Sequence, residues 1–321
     1  MPKIPAGWIV TGLALAAGLG LPLVDRQDQV LTLGILVFIN AALAASWNII
    51  GGFAGQVSLG QAAFFGLGAL VTRLLWLQGV PFPLAFLAGG AVAALAAFFL
   101  GYPGLRLKGI YFAIGTLALA EAIRITVGNL FPTITSLPAE GLRTYSLVSR
   151  YYLCLGVLAL AAVVTAYLQR SKLGLGMLAT REDEDAARSI GVNIFRHKLI
   201  AFVVSAAIAG LTGASFAYFF VSYYPSLPFG PEYSLDPLII VFIGGIGTLV
   251  GPLLGAVFFV LVQNALAVNL VDLHLLIFGV LFVLVVLLFP GGLVEGWDQL
   301  QTWTGLLRRQ SERRKANKPT G

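Results

Sequence analysis

Three shortages bound this chain of 321 residues before any motif is sought. There is one cysteine, Cys154, so the chain forms no intrachain disulfide and offers no redox pair. The two histidines, His197 and His274, stand far apart, with no His/Cys/Asp cluster at metal-ligand spacing, which leaves no recognisable metal site. Charge is the scarcest commodity: Asp, Glu, Lys and Arg together make 11% of the residues, against about a quarter in soluble domains. No sizeable soluble domain fits within that composition. Catalytic chemistry has little to work with, since Asp272 precedes His274 in what reads as a loop and no nucleophile is paired with either. No GxxxxGK[ST] loop occurs, so the chain does not bind ATP by that route.

What the chain does contain is apolar. Hydrophobic residues make 58% of it and fall in blocks of about 20, the length a helix needs to cross a bilayer. The short alternating segments of a β-barrel are missing. The expected fold is an all-α integral membrane protein: one transmembrane domain over 1–321, a polytopic bundle of about ten helices (8–10), some glycine-rich or broken. Candidate spans lie at about 8–24, 30–50, 54–77, 82–102, 110–130, 151–169, 199–222, 236–249, 252–270 and 272–289. Lys3 ahead of the first apolar run also permits a signal peptide, although an uncleaved first helix explains the pattern equally well.

The formal net charge is +6, but its distribution argues against nucleic acid. Basic residues sit in loops and in a tail over 291–321 that carries Arg308, Arg309, Arg313, Arg314, Lys315 and Lys318, which suits an anchor beside anionic lipid. With the N-terminus in the cytoplasm, Lys3, Arg106, Lys108, the 171–198 connection and the tail all fall inside. Arg26, Arg73, Arg124, Arg143 and Arg150 fall outside or near outer span ends. That asymmetry predicts an even number of crossings with both termini cytoplasmic.

Two spans are irregular. Gly51–Gly68 reads GGFAGQVSLGQAAFFGLG, with Gln56, Ser58 and Gln61 among its glycines. Asp236–Phe259 opens on Asp-Pro and is interrupted at Gly244-Gly245, Gly247 and Gly251-Pro252. Irregular backbone at membrane depth survives only where protein or a water-lined cavity satisfies it, so both segments are candidates for a permeation path. The competing explanation is close packing, and Gly247, Gly251 and Gly255 have the spacing for it. Glu121 and Arg124, three apart within an apolar run, share a helical face. Ionisable groups there suggest function, and a self-satisfying ion pair is the alternative.

The most organised polar stretch is Ser171–Lys198, SKLGLGMLATREDEDAARSIGVNIFRHK. Thr180-Arg181-Glu182-Asp183 has the form of a capping box opening a short helix, four acids fill its first turn, and Gly191 is placed as its stop. Ala186, Ala187 and Ile190 form a small apolar stripe beside Ala179. A helix this short is unstable unless it packs on something, so docking is favoured over a bare linker.

Asp185-Ala186-Ala187-Arg188-Ser189-Ile190-Gly191 resembles the EAAxxxG element of ABC-importer permeases, with Asp in place of Glu. The frame Ser171, Gly174, Ala179, Arg181, Ala186-Ala187 and Gly191, with KLIAFVVSAAIAGLTGA (Lys198–Ala214), GGFAGQVSLGQAAFFGLGA (Gly51–Ala69), TLALAEAIR (Thr116–Arg124) and GGIGTLVGPLLGA (Gly244–Ala256), is similar to the branched-chain amino-acid (Liv-type) permeases over about residues 30–290. Two departures stand out: the Ile-x-Leu-Pro that continues the general element is missing, as is usual in this branch, and Thr135–Leu142 lacks the glycine-rich TxGxxGL form. The resemblance implies a non-catalytic pore subunit in the inner membrane of a prokaryote. Its partners would be a sister permease, two ABC ATPases and an extracytoplasmic solute-binding protein. The chain itself would hold no cofactor, ATP and Mg residing in the ATPases. The coupling loop would then be 171–198, with Gly174, Ala179, Arg181, Asp185, Ala186, Ala187 and Gly191. Branched-chain or related amino acids are the implied cargo, with urea, short amides or another small organic solute as the alternative. An ion-coupled secondary transporter using Glu121 is a rival of a different class, and a membrane-embedded enzyme is another.

Overall fold

The structure, a computed structural model, describes residues 6–24, 26–133, 135–136, 141, 145–269, and positions 277, 279, 280, 283, 284, 287 and 291–295. The expected last span at 272–289 and the basic tail lie largely or wholly outside these residues, as do Asp272 and His274.

In chain order the helices are α1 (Ala6–Val24), α2 (Asp28–Asn48), α3 (Gln61–Leu77), α4 (Phe82–Gly104), α5 (Ile110–Leu130), α6 (Leu147–Arg170), α7 (Lys172–Glu182), α8 (Glu184–Ser189), α9 (Ile194–Phe219), α10 (Glu232–Gly244) and α11 (Gly251–Asn269). A π turn, Ile49–Phe53, continues α2, and a 3-10 turn, Leu227–Phe229, precedes α10. Among the described residues, five segments are long and apolar enough to cross a membrane: Asp28–Phe53, α4, α5, α6 and α9. Helix α10 has 13 residues, about 20 Å at 1.5 Å per residue, and falls short of the hydrocarbon thickness. The protein is an α-helical membrane protein, and its only sheet among the described residues is a two-residue antiparallel ladder, β1 (Thr135–Ser136) against β2 (Ser222–Tyr223), pairing Thr135 with Tyr223.

Local chemistry sets several boundaries. Ser146 caps α6 by accepting from the Ser149 N–H, and Asn193 caps α9 by accepting from the Arg196 N–H. The expected span at 54–77 is shorter than the apolar stretch suggests. Residues 54–60 are not helical, and regular winding begins only at Gln61.

The core centres on α9, which lies against α3 and α4 through small residues. A Cβ on Gly68 would sit 2.0 Å from the Gly210 carbonyl oxygen, and one on Gly213 would sit 1.9 Å from that of Phe65. The backbones touch, the packing that serves membrane helices where burial from water supplies no drive. Helices α10 and α11 meet in the same way, for a Cβ on Gly255 would stand 2.1 Å from the Ile240 oxygen. Gly251 opens α11 and Gly255 lies one turn on, but Gly247 stands outside the helix with φ +75°. The three therefore do not form one helical ridge: Gly247 serves a turn that a side chain would strain.

Candidate functional site

The interruption after α2 is satisfied by side chains from elsewhere in the bundle. Trp47 Nε1 donates to the Ser58 oxygen at 2.8 Å, and Thr116 Oγ1 on α5 accepts from the Leu59 N–H at 3.1 Å. The Ser234 hydroxyl of α10 accepts from the Ala62 N–H at the start of α3. Asn48 reaches the other interruption with both ends of its amide: Nδ2 donates to the Thr248 oxygen at 2.9 Å, and Oδ1 accepts from the Gly247 N–H at 2.8 Å. Freed backbone groups at this depth find partners in protein rather than lipid.

Gln56, Ser58 and Gln61 are all buried here. Gln61 Nε2 donates to the Ser46 and Ser205 hydroxyls, at 2.7 and 3.1 Å, while Ser205 donates on to the Ser46 oxygen. The glutamine ties α3 to α2 and α9, and its Oε1 is buried without a hydrogen-bond partner.

In the 171–198 connection, Ser171 caps α7 by accepting from the Gly174 N–H at 3.0 Å. A Cβ on Gly174 would collide with the Leu168 oxygen, so the elbow from α6 into α7 requires glycine. Thr180 does not open a capping box. It sits inside α7 with its hydroxyl donating to the Gly176 oxygen, and the residue that caps α8 is Asp183, whose Oδ1 accepts from the N–H groups of Asp185 and Ala186. The stop is a two-bond glycine turn: the Gly191 N–H donates to the Arg188 oxygen, the Val192 N–H to the Ala187 oxygen, and Gly191 has φ +85°.

The stripe expected on α8 divides between two faces. Ala187 is 2% exposed and packs against its own chain, whereas Ala186 is exposed and Ile190 is 77% exposed. Lys198 of α9 pins α8 from behind through an ion pair to Glu184 Oε1. Asp185 and Arg188 form a long, solvent-exposed pair at 3.7 Å. Beside Ile190 a groove of about 540 Å³ is lined by Ala179, Leu175, Lys172, Arg196 and His197, among others.

Glu121 and Arg124 form a two-pronged pair midway along α5, with Arg124 Nε donating to Glu121 Oε2 at 2.8 Å and Nη2 to Oε1 at 2.5 Å. Their side chains are 44% and 39% exposed. Among the described residues no three His, Cys, Asp or Glu side chains gather at metal-binding range.

Two arginines placed by the sequence only as topology markers are buried. Arg73 and Arg150, expected near outer span ends, are fully enclosed and converge on carbonyls at and just beyond the end of α9. Arg73 Nη2 donates to the Phe220 and Val221 oxygens, and Arg150 Nε donates to that of Tyr218. Arg150 is held between the Tyr145 and Tyr218 rings, and burial pushes the Tyr223 phenol beside Arg73 well above its ordinary pKa. The signal was present: a lone cation inside an apolar helix calls for a partner wherever the span is placed.

These features define a class, a multi-pass helical membrane protein whose interrupted helices are tied to a helix pair capped at both ends. Residues 29–286 match the family described as the permease component of the branched-chain amino acid transport system, and the chain belongs to that family. It is 33% identical over 294 residues to the high-affinity branched-chain amino acid transport system permease protein LivM of Escherichia coli (strain K12), covering 81% of this chain and 68% of that one. The autoinducer 2 import system permease protein LsrC of Enterobacter sp. (strain 638) is 28% identical over 257 residues, 77% of this chain and 71% of its own. A putative glucose ABC transporter permease protein, TsgC13 of Haloferax volcanii, is 29% identical over 198 residues, 54% and 57% of the two chains. No solved structure matches.

Proposed function

We propose that the chain is a pore-forming subunit of an ATP-driven importer for branched-chain or related amino acids, working with a sister permease, separate ATPases and an extracytoplasmic binding protein. The observation that carries this reading is α8, a helix of six residues capped at both ends, pinned from behind by Lys198 and presenting Ala186 and Ile190 outward. An isolated helix of that length is unstable in water, so its exposed apolar face has a packing partner to gain. In this reading the 171–198 connection and both termini are cytoplasmic, and Arg181–Gly191 delivers the ATPase's closure to the membrane part.

The cargo follows LivM, the relative with the higher identity. Relatives named for autoinducer 2 and glucose keep other small solutes in play as the alternative cargo. The Glu121–Arg124 pair lies too near mid-helix and too exposed to face hydrocarbon. Its face of α5 belongs against the sister permease or the aqueous path. Because Glu121 is engaged on both oxygens by Arg124, it is poorly placed to serve as a freely titrating coupling acid.

The test is pull-down of the ATPase subunits by detergent-solubilised permease, with labelled leucine uptake in parallel. Ile190→Glu should abolish ATPase binding while the bundle stays folded. Full binding and uptake by that variant would refute the docking reading. Uptake of urea in place of leucine would move the cargo but not the class.

A further inference from the structure

The two interrupted stretches, 49–60 and 245–250, lie nearly two hundred residues apart in the chain, and one side chain from the α7–α8 pair stands between them. Arg181, in the last turn of α7, donates from Nη1 to the Gly52 oxygen at 2.6 Å. The same Nη1 lies 2.9 Å from where a Cβ on Gly247 would stand, and a Cβ on Gly55 would come within 3.0 Å of the Arg181 Cγ. Gly55 and Gly247 have φ +69° and +75°, so each provides both the turn and the room for the arginine. Gly247 is in turn gripped by Asn48, at the root of the π turn that contains Gly52. Arg181, Gly52, Asn48 and Gly247 thus form one connected cluster. The carboxylate of Glu182, at 3.9 Å, is a distant second partner for the guanidinium.

We propose that Arg181 is a positioning residue for transport, a latch through which displacement of the α7–α8 elbow shifts both interrupted stretches together. The inference rests on the reading of α8 as the ATPase-docking element and names the point where that displacement enters the membrane part. The chemistry suits a reversible latch. A hydrogen bond from a guanidinium to a carbonyl is charge-assisted and stronger than a neutral one. Its side chain is 35% exposed, so breaking the bond hands the charge to water rather than stranding it. Lys198, enclosed on its ion pair, has no such freedom; it holds α8 to α9 while Arg181 can let go.

Two measurements test the latch. In purified permease, Arg181→Ala should speed amide exchange across 49–60 and 245–251 by about 10-fold, the loss of one charge-assisted bond, and Arg181→Lys should restore most of the protection. In the importer reconstituted with ATPases and binding protein, Arg181→Ala should keep ATPase binding and basal hydrolysis while solute moved per ATP falls roughly 10-fold, again with recovery in Arg181→Lys. Unchanged exchange in both stretches overturns the proposal, as does wild-type coupling despite faster exchange. Loss of ATPase binding as complete as in Ile190→Glu would make Arg181 a docking contact and overturn it too. Should wild-type permease bind no ATPase, the docking reading fails by itself, and the exchange measurement still decides whether Arg181 holds the two stretches.

Discussion

Removing either partner of the Lys198–Glu184 pair should have unequal consequences. The Lys198 side chain is 4% exposed with its ammonium on Glu184, whereas Glu184 is 31% exposed and can turn to water. Glu184→Ala therefore leaves an enclosed charge without its partner, a loss on the order of 3–5 kcal/mol. Lys198→Met keeps the enclosed stem filled and lets the carboxylate rehydrate, so its cost should be near the value of a partly exposed pair, about 1 kcal/mol. In the double variant the stranded charge is gone, and stability should return to within about 1 kcal/mol of Lys198→Met alone. Thermal unfolding in detergent, followed by amide exchange on 184–190, reads both the size of the effect and its location. The ordering is the test: if Lys198→Met destabilises α8 as much as Glu184→Ala, or the double variant is the worst of the three, the lysine is not held in place by this carboxylate.

Ala187→Trp should free α8 from its own chain, because Ala187 is enclosed, and lose ATPase binding together with local exchange protection; Ile190→Glu should lose binding with protection intact. Gly213→Val should prevent folding, with a Cβ already at 1.9 Å from the Phe65 oxygen, and size-exclusion profiles in detergent would show aggregate in place of a monodisperse peak. Gly191→Val at φ +85° should cost about 1–3 kcal/mol and unwind the end of α8, visible as faster exchange at the Val192 amide. Glu121→Gln should lower folded yield by removing the anion from Arg124, with little change in the pH dependence of uptake; normal yield with a lost pH response would favour ion coupling.

The helices that read cleanly from the sequence are those whose ends carry their own markers. The expected 110–130 coincides with α5, whose start follows Gly109 at φ +55°, and α4 begins at the Pro81–Pro83 turn where expected. Residues 54–60 read as span because the stretch is apolar enough for one. What satisfies it unwound lies largely in distant helices, in the hydroxyls of Thr116 on α5 and Ser234 on α10, which no local window contains; only the indole of Trp47 comes from the preceding helix. The misplaced cap has a similar origin. Four consecutive acids follow a threonine, and any of several could open a helix. Asp183 does so because α7 runs on through Glu182, held by the Ser171 cap and by Gly174 and Gly176 pressed on Leu168 and His197. Ala187 and Ile190 look equivalent in a stripe of small and apolar residues, and only the packing of α8 shows which one faces home.

The π turn at Ile49–Phe53 fixes a unit of displacement. A π turn holds about one residue more per hydrogen-bonded loop than the α turn it replaces. Rewinding it to α would advance everything beyond it by about 1.5 Å and rotate it by roughly 100°. The Gly52 carbonyl would swing off the Arg181 guanidinium, and the indole of Trp47 would lose its register with Ser58. The start of α3 cannot follow by small increments, because Gly68 has no slack against Gly210. Any rearrangement of this segment comes in whole residues, as a screw turns from one thread to the next.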